Sequence, residues 1–147
     1  GEGVAVDCVV ADFISGSVEQ LTPDNEAEHW DVIEGQGSSF QPAYAGVTIG
    51  LIHGAQPDAL VICHTVRREF MRGMPGYKLP SLDETITINL LHARRTNPEC
   101  KVVGICVNTS AVDEQTALET CQMIAIETGL PCVDPLRHGV SKIVANL

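Results

Sequence analysis

Glu34 is followed by Gly35, Gln36, Gly37, Ser38 and Ser39. A carboxylate ahead of small residues suits contact with a ligand. It can bind Mg²⁺, accept a proton or orient a substrate amine. The glycines let the backbone come close to a bound group. The helix expected after Pro42 offers amide groups to an anion. Gln36, Ser38 and Ser39 can bond a ligand or shape the turn. The alternative for Glu34 is a structural carboxylate that accepts hydrogen bonds from the next loop.

Further candidates follow other apolar runs. His64 can serve as an acid–base group or an anion contact, or stand as a structural histidine. Arg67, Arg68 and Arg72 can clamp a phosphate or carboxylate, or form a solvated face. Asn108 can read an amide or base edge, or start a turn before a helix. Asp134 and Arg137 carry the same two readings. His29, His53 and His92 read as surface or packing residues. Several residues would fit a nucleophile–histidine pair equally well, so none is assigned.

Elements must present these groups. Trp30–Ile33, Ala59–Cys63, Lys101–Val107 and Leu130–Val133 are apolar runs without alternation, as in parallel strands covered on both faces. Helices are expected over Cys8–Leu21, Ala43–Ile52, Ser81–Arg95, Asp113–Thr128 and Gly139–Leu147. Ser81 suits a cap, Ser110 and Asp113 have capping-box spacing, and Gly129 suits the last helical turn's exit. Leu82, Ile86, Leu90 and Ala93 mark one buried stripe. Ala117, Leu118, Cys121, Ile124 and Ala125 mark another. Residues 65–80 read as a long irregular loop, a ligand lid or a subunit contact, holding Arg67, Arg68, Arg72 and Lys78, four of the nine basic residues. Strands alternating with helices imply a three-layer α/β domain with a mostly parallel sheet. Ligands bind such sheets at the strands' carboxyl ends. Glu34, His64, Asn108 and Asp134 are therefore expected at one edge.

The 147 residues are enough for a single α/β domain, and the net charge of −10 argues against a nucleic-acid or acidic-membrane partner. No apolar run approaches the ~18 residues of a membrane helix. No leader is recognised at the start, and the cytoplasm is the expected location. None of the six cysteines forms a CxxC pair, and most lie in apolar runs. Buried reduced thiols are expected, with no zinc site and no disulfides.

The stretch WDVIEGQGSSFQPAYAGVTIGLIHGAQPDALVICH, with VVGICVNTS, TGLPCVDPLRHG and VDCVVADFISGSVE, resembles a known family. It looks like the carboxyl-terminal, P-loop-type domain of a two-domain family, long catalogued as a domain of unknown function. That family is now linked to D-glutamate N-acetyltransferase. The likeness covers nearly the whole chain. The domain is also similar in plan to dethiobiotin synthetase, where an EGAGG-like stretch lies beside nucleotide and Mg²⁺.

The resemblance implies a P-loop NTPase-like fold and transfer of acetyl from acetyl-CoA to the amine of an acidic amino acid such as D-glutamate. An ATP- and Mg²⁺-dependent ligase or nucleotide-binding domain is the alternative, with Glu34 near the metal. A non-catalytic binding or assembly domain is the third. One departure stands out: the family's phosphate loop ends in Gly-Lys, and this chain has no Gly-Lys pair. The expectation is that the chain is the distal part of that domain, with the phosphate loop and amino-terminal domain upstream. Its expected partners are that missing portion, a small-molecule ligand and further copies in a homo-oligomer. The isolated chain is expected to be inactive.

Overall fold

A computed structural model describes residues 3–147. Two compact units divide the chain. One runs to Pro57 and takes in Leu91–Glu99; the other comprises Asp58–Leu90 and Cys100–Leu147.

The first unit is helical. Short 3-10 turns at Val6–Cys8 and Ala11–Phe13 precede α1 (Ile14–Leu21), and α2 spans Ala45–Ala55. The helix expected from Cys8 is shorter because Val9 and Val10 are extended, at ψ 136 and 137°. Ile14, Val18 and Ile52 are buried, and the Ser15 hydroxyl donates to the Gly50 carbonyl at 3.0 Å. Trp30–Ile33 is not a strand. Trp30 is 65% exposed and Val32 95%. Apolar, β-branched character favours extended backbone, but a strand also needs a hydrogen-bonded neighbour. Among the described residues nothing pairs with this run.

The second unit is the α/β part. β1 (Ala59–Thr65), α3 (Leu82–Ala93), β2 (Lys101–Asn108), α4 (Glu114–Thr128) and β3 (Cys132–Val133) follow in turn. Helices α5 (Pro135–His138) and α6 (Ser141–Val144) close the chain. Among the described residues the sheet has three strands in the order β1-β2-β3, and both pairings are parallel. Continuous apolar runs between helical segments produce this topology, as expected. Only the last two residues of the Leu130–Val133 run form a strand.

One face of the sheet packs Ile62, Val102, Ile105, Val107 and Cys132 against Cys121 and Ile124 of α4. Leu82, Ile86 and Leu90 of α3 cover the same core. The other face sets Val103 and Val133 against Ile143 of α6. Helices thus lie on both faces, giving three layers. Gly104 permits the close approach of α6: a Cβ there would stand 2.7 Å from Ile143 Cγ1. Leu118 departs from the expected stripe and is exposed, whereas Ala117, Cys121 and Ile124 are buried.

Helix ends follow local chemistry. Ser81 and Glu84 form a reciprocal capping box, with the Glu84 amide donating to Ser81 Oγ at 3.1 Å and the Ser81 amide to Glu84 Oε2 at 2.9 Å. Asp113, and not Ser110, caps α4 by accepting from the Thr116 amide at 2.8 Å. Gly129 is left-handed at the exit of α4, as expected. The helix expected over Gly139–Leu147 is replaced by α5 and α6, separated at Gly139 (φ 69°, ψ −172°). Cys100, Cys121 and Cys132 are buried, as expected of the thiols, whereas Cys106 is half-buried and Cys8 and Cys63 are exposed. No helix among the described residues is long and apolar enough to cross a membrane.

Candidate functional site

The second unit brings most candidates to the carboxyl end of its sheet. Thr65 and Asn108 are register partners, so β1 and β2 finish level. His64 stands one residue earlier, opposite Val107. It is half-buried. Burial, and then the charge of Arg68, lower its pKa, which keeps the imidazole neutral at pH 7.

Thr65 ends β1, and the rest of the expected irregular stretch has no helix or strand, but residues 69–79 pair across it. Phe70 and Lys78 form an antiparallel bridge, the Met71 amide donates to the Tyr77 carbonyl at 2.9 Å, and the Leu79 amide to the Glu69 carbonyl at 2.9 Å. The segment is a small hairpin. Gly73 and Pro75 read locally as breakers, while the cross-strand bonds that order the segment are not a local property. Arg67 begins it with left-handed backbone, φ 58°. Its Nη1 donates to the Ala111 carbonyl at 3.4 Å. Arg68 and Arg72 are exposed.

Asn108 is exposed at the end of β2, and its Oδ1 accepts from the Ser110 amide at 3.0 Å. The turn role is therefore filled by the oxygen of that side chain. Thr109 is fully buried, and Asp134 at the end of β3 is 4% exposed. Asp134 Oδ2 accepts from the Thr109 amide at 3.0 Å and from the Thr109 hydroxyl. Asp134 Oδ1 accepts from the amides of Leu136 at 2.9 Å and Arg137 at 3.2 Å, capping α5. Burial pushes this carboxyl up, but the Thr109 hydroxyl and amide and the α5 amides outweigh it and hold it below the usual range.

Arg137 turns its guanidinium to the same loop. Nη2 donates to Val112 O at 2.8 Å and Thr109 O at 3.3 Å, and Nη1 to Glu114 Oε2 at 2.9 Å. His138 Nε2 lies 2.9 Å from Glu114 Oε1. The His138 and Arg137 contacts lower the Glu114 pKa. Thr109, Glu114 and His138 were not singled out by sequence reasoning. The available signal was Asp134-Pro135, an N-cap followed by proline at the first helical position.

Burial pushes up the thiols of Cys63 and Cys106, and Cys132 is pushed up to about 12 by burial and by Cys121 beside it. These three are thiols, not nucleophilic thiolates, at neutral pH.

The first unit holds the Glu34 loop. Glu34, Gly35 and Gln36 are exposed. Glu34 follows a segment that forms no strand, so it does not stand at a strand end as expected. The Thr48 hydroxyl donates to the Gln36 carbonyl, anchoring the loop to α2. Gly37 has φ 42°, and a Cβ there would lie 2.7 Å from Tyr44 Cβ, so both conformation and space require glycine. Ser38 works within the turn: its Oγ accepts from the Phe40 amide at 3.2 Å. His29 is exposed and lies 3.2 Å from Asp31. His53 and His92 are half-buried, with ring centroids 6.1 Å apart. Among the described residues, no group of three His, Cys, Asp or Glu side chains is arranged for a metal ion.

A family model described as a domain of unknown function, DUF1611_C, P-loop domain, matches residues 1–144. The chain belongs to this family. Two curated relatives of this DUF1611_C domain carry the name D-glutamate N-acetyltransferase. The protein from Pseudoalteromonas sp is 57% identical over all 147 residues, and that from Tritonibacter scottomollicae is 51% identical over the same span. The chain covers 44% of each, less than half their length. The crystal structure of a DUF1611 family protein from Anabaena variabilis matches with a TM-score of 0.88 at 36% identity, over 99% of this chain and 43% of that one.

Proposed function

We propose that this DUF1611_C domain is part of an N-acetyltransferase that moves acetyl from acetyl-CoA to the amine of an acidic amino acid such as D-glutamate. The observation that carries this reading is identity of 57% and 51%, across the whole chain, to proteins named D-glutamate N-acetyltransferase. The chemistry agrees with it. Both substrates are anions, and a chain of net charge −10 places Arg67, Arg68 and Arg72 in the segment that follows the carboxyl end of β1. Arg68 and Arg72 are the cations assigned to carboxylate or phosphate, as charge-assisted partners.

In acetyl transfer the amine loses a proton and attacks the thioester carbonyl. A C–N bond forms, the C–S bond breaks, and CoA leaves as a thiolate that takes up a proton. His64, kept neutral by burial, is the proposed proton acceptor.

The P-loop description of the family favours one other reading, ATP with Mg²⁺ near Glu34. The test supplies full-length protein with acetyl-CoA and D-glutamate, and separately with ATP and Mg²⁺. N-acetyl-D-glutamate with stoichiometric CoA thiol supports the first reading. ADP or phosphate release without acetylated product supports the second. Neither product leaves a binding or assembly role.

A further inference from the structure

The Asp134 carboxylate has room for about four hydrogen bonds. Four donors fill it: the Thr109 amide and hydroxyl, and the amides of Leu136 and Arg137. A ligand reaching for Asp134 would have to displace one of them inside a buried setting. Arg137 is committed in the same way, to the carbonyls of Thr109 and Val112 and to Glu114. Both residues end on one object, the loop of residues 109–113 that follows Asn108 and joins β2 to α4.

The start of that loop is also held by the strand: the Val66 amide donates to the Asn108 carbonyl at 3.3 Å, and the Ser110 amide to Asn108 Oδ1 at 3.0 Å. Asn108, Ser110 and Ala111 are exposed. The Val112 amide returns to Thr109 O at 3.1 Å, and Arg67 adds a 3.4 Å contact at Ala111. A polar side chain at a strand's carboxyl end is useful to a ligand only when its backbone is fixed. The buried bonds to Thr109, next in sequence to Asn108, supply that fixing.

We propose that Asp134, with Arg137, is a positioning residue: it sets the Asn108 loop in its ligand-ready form and does not contact the ligand. The proposal rests on the acetyltransferase reading only for its kinetic consequence; its structural part stands alone. Asp134 acts through Thr109 and so on Asn108. Arg137 acts on the far side of the loop through Val112, while Glu114 and His138 hold Arg137 in place.

The experiment uses the full-length protein and two variants, Asp134→Asn and Arg137→Gln; the second keeps the carboxylate should the first fold poorly. Amide hydrogen exchange is followed in the peptides covering residues 108–113 and 117–125. Exchange in 108–113 should rise about tenfold or more in each folded variant, the equilibrium effect of losing a hydrogen bond to a charged group, with 117–125 unchanged. Unchanged exchange in 108–113, or an equal rise in both peptides, overturns the proposal. A kinetic arm adds Asn108→Ala alone and combined with each variant. Positioning through Asn108 makes the double variant no worse than about twofold below Asn108→Ala, whereas independent roles multiply. Wild-type protein without acetyl transfer removes the functional reading, and hydrogen exchange still decides the positioning role.

Discussion

Ile143 of α6 sits directly on Gly104 of β2: a Cβ at Gly104 would lie 2.7 Å from its Cγ1 and 3.1 Å from the Pro131 carbonyl oxygen. Gly104→Ala is normally favourable in a strand, where alanine loses less backbone entropy than glycine. Here the clash should win, because Pro131 O is backbone and cannot step aside. The expected cost is about 1–3 kcal/mol. Thermal denaturation checks it, at roughly 2–4 °C per kcal/mol for a domain of this size. An unchanged or raised Tm would show that α6 is looser on the sheet than described.

The Ser81–Glu84 box fixes the start of α3, which leads out of the arginine hairpin. Ser81→Ala should cost about 0.5–2 kcal/mol. Glu84→Gln keeps the shape of the box and should cost less. Urea denaturation of both variants reads the difference.

Asp134 contributes to the loss of stability at low pH. Its pKa is lowered in the folded state, so its contribution is present above the ordinary aspartate value of about 3.9 and is lost as pH falls through the lower folded value. Urea stability measured between pH 7 and 3 should therefore fall below about pH 4 in the wild type. Asp134→Asn should be less stable at neutral pH and flatter on the acid side. Parallel curves for the two proteins would contradict the linkage.

His64 sets a second pH signature. Burial is the larger cause of its lowered pKa and Arg68 the smaller. The acid limb of kcat/KM should fall below the ordinary imidazole value of about 6.5. Arg68→Gln should move that limb upward only part of the way, since burial remains. His64→Asn should lower kcat by about 10²–10⁴-fold and remove the limb. A limb that persists in His64→Asn would assign the proton step elsewhere.

Much of the second unit was legible in the sequence. β1, β2 and α3 lie where the runs ALVIC, KVVGICV and the Ser81 cap put them, because apolar continuity and caps are local signals. The hairpin at residues 69–79 was not legible, since its order comes from cross-strand bonds such as Leu79 to Glu69. Trp30–Ile33 misled for a related reason: apolar character marks a strand, but only a neighbour makes one. At the site, strand-end position pointed to Asp134, but its bond to Thr109 spans 25 residues and has no local trace. The loop glycine Gly37 was legible; the Thr48 anchor beneath it was not.

The proposed acetyl transfer to an acidic amino acid is tested most directly by its products. Full-length protein is incubated with acetyl-CoA and either D-glutamate or a neutral D-amino acid, and the products are weighed by mass spectrometry. The expected result is N-acetyl-D-glutamate in stoichiometric balance with CoA, a KM for D-glutamate that rises in Arg68→Gln, and little neutral product. Absence of acetylated glutamate at any acetyl-CoA concentration, with the protein folded, would contradict the account.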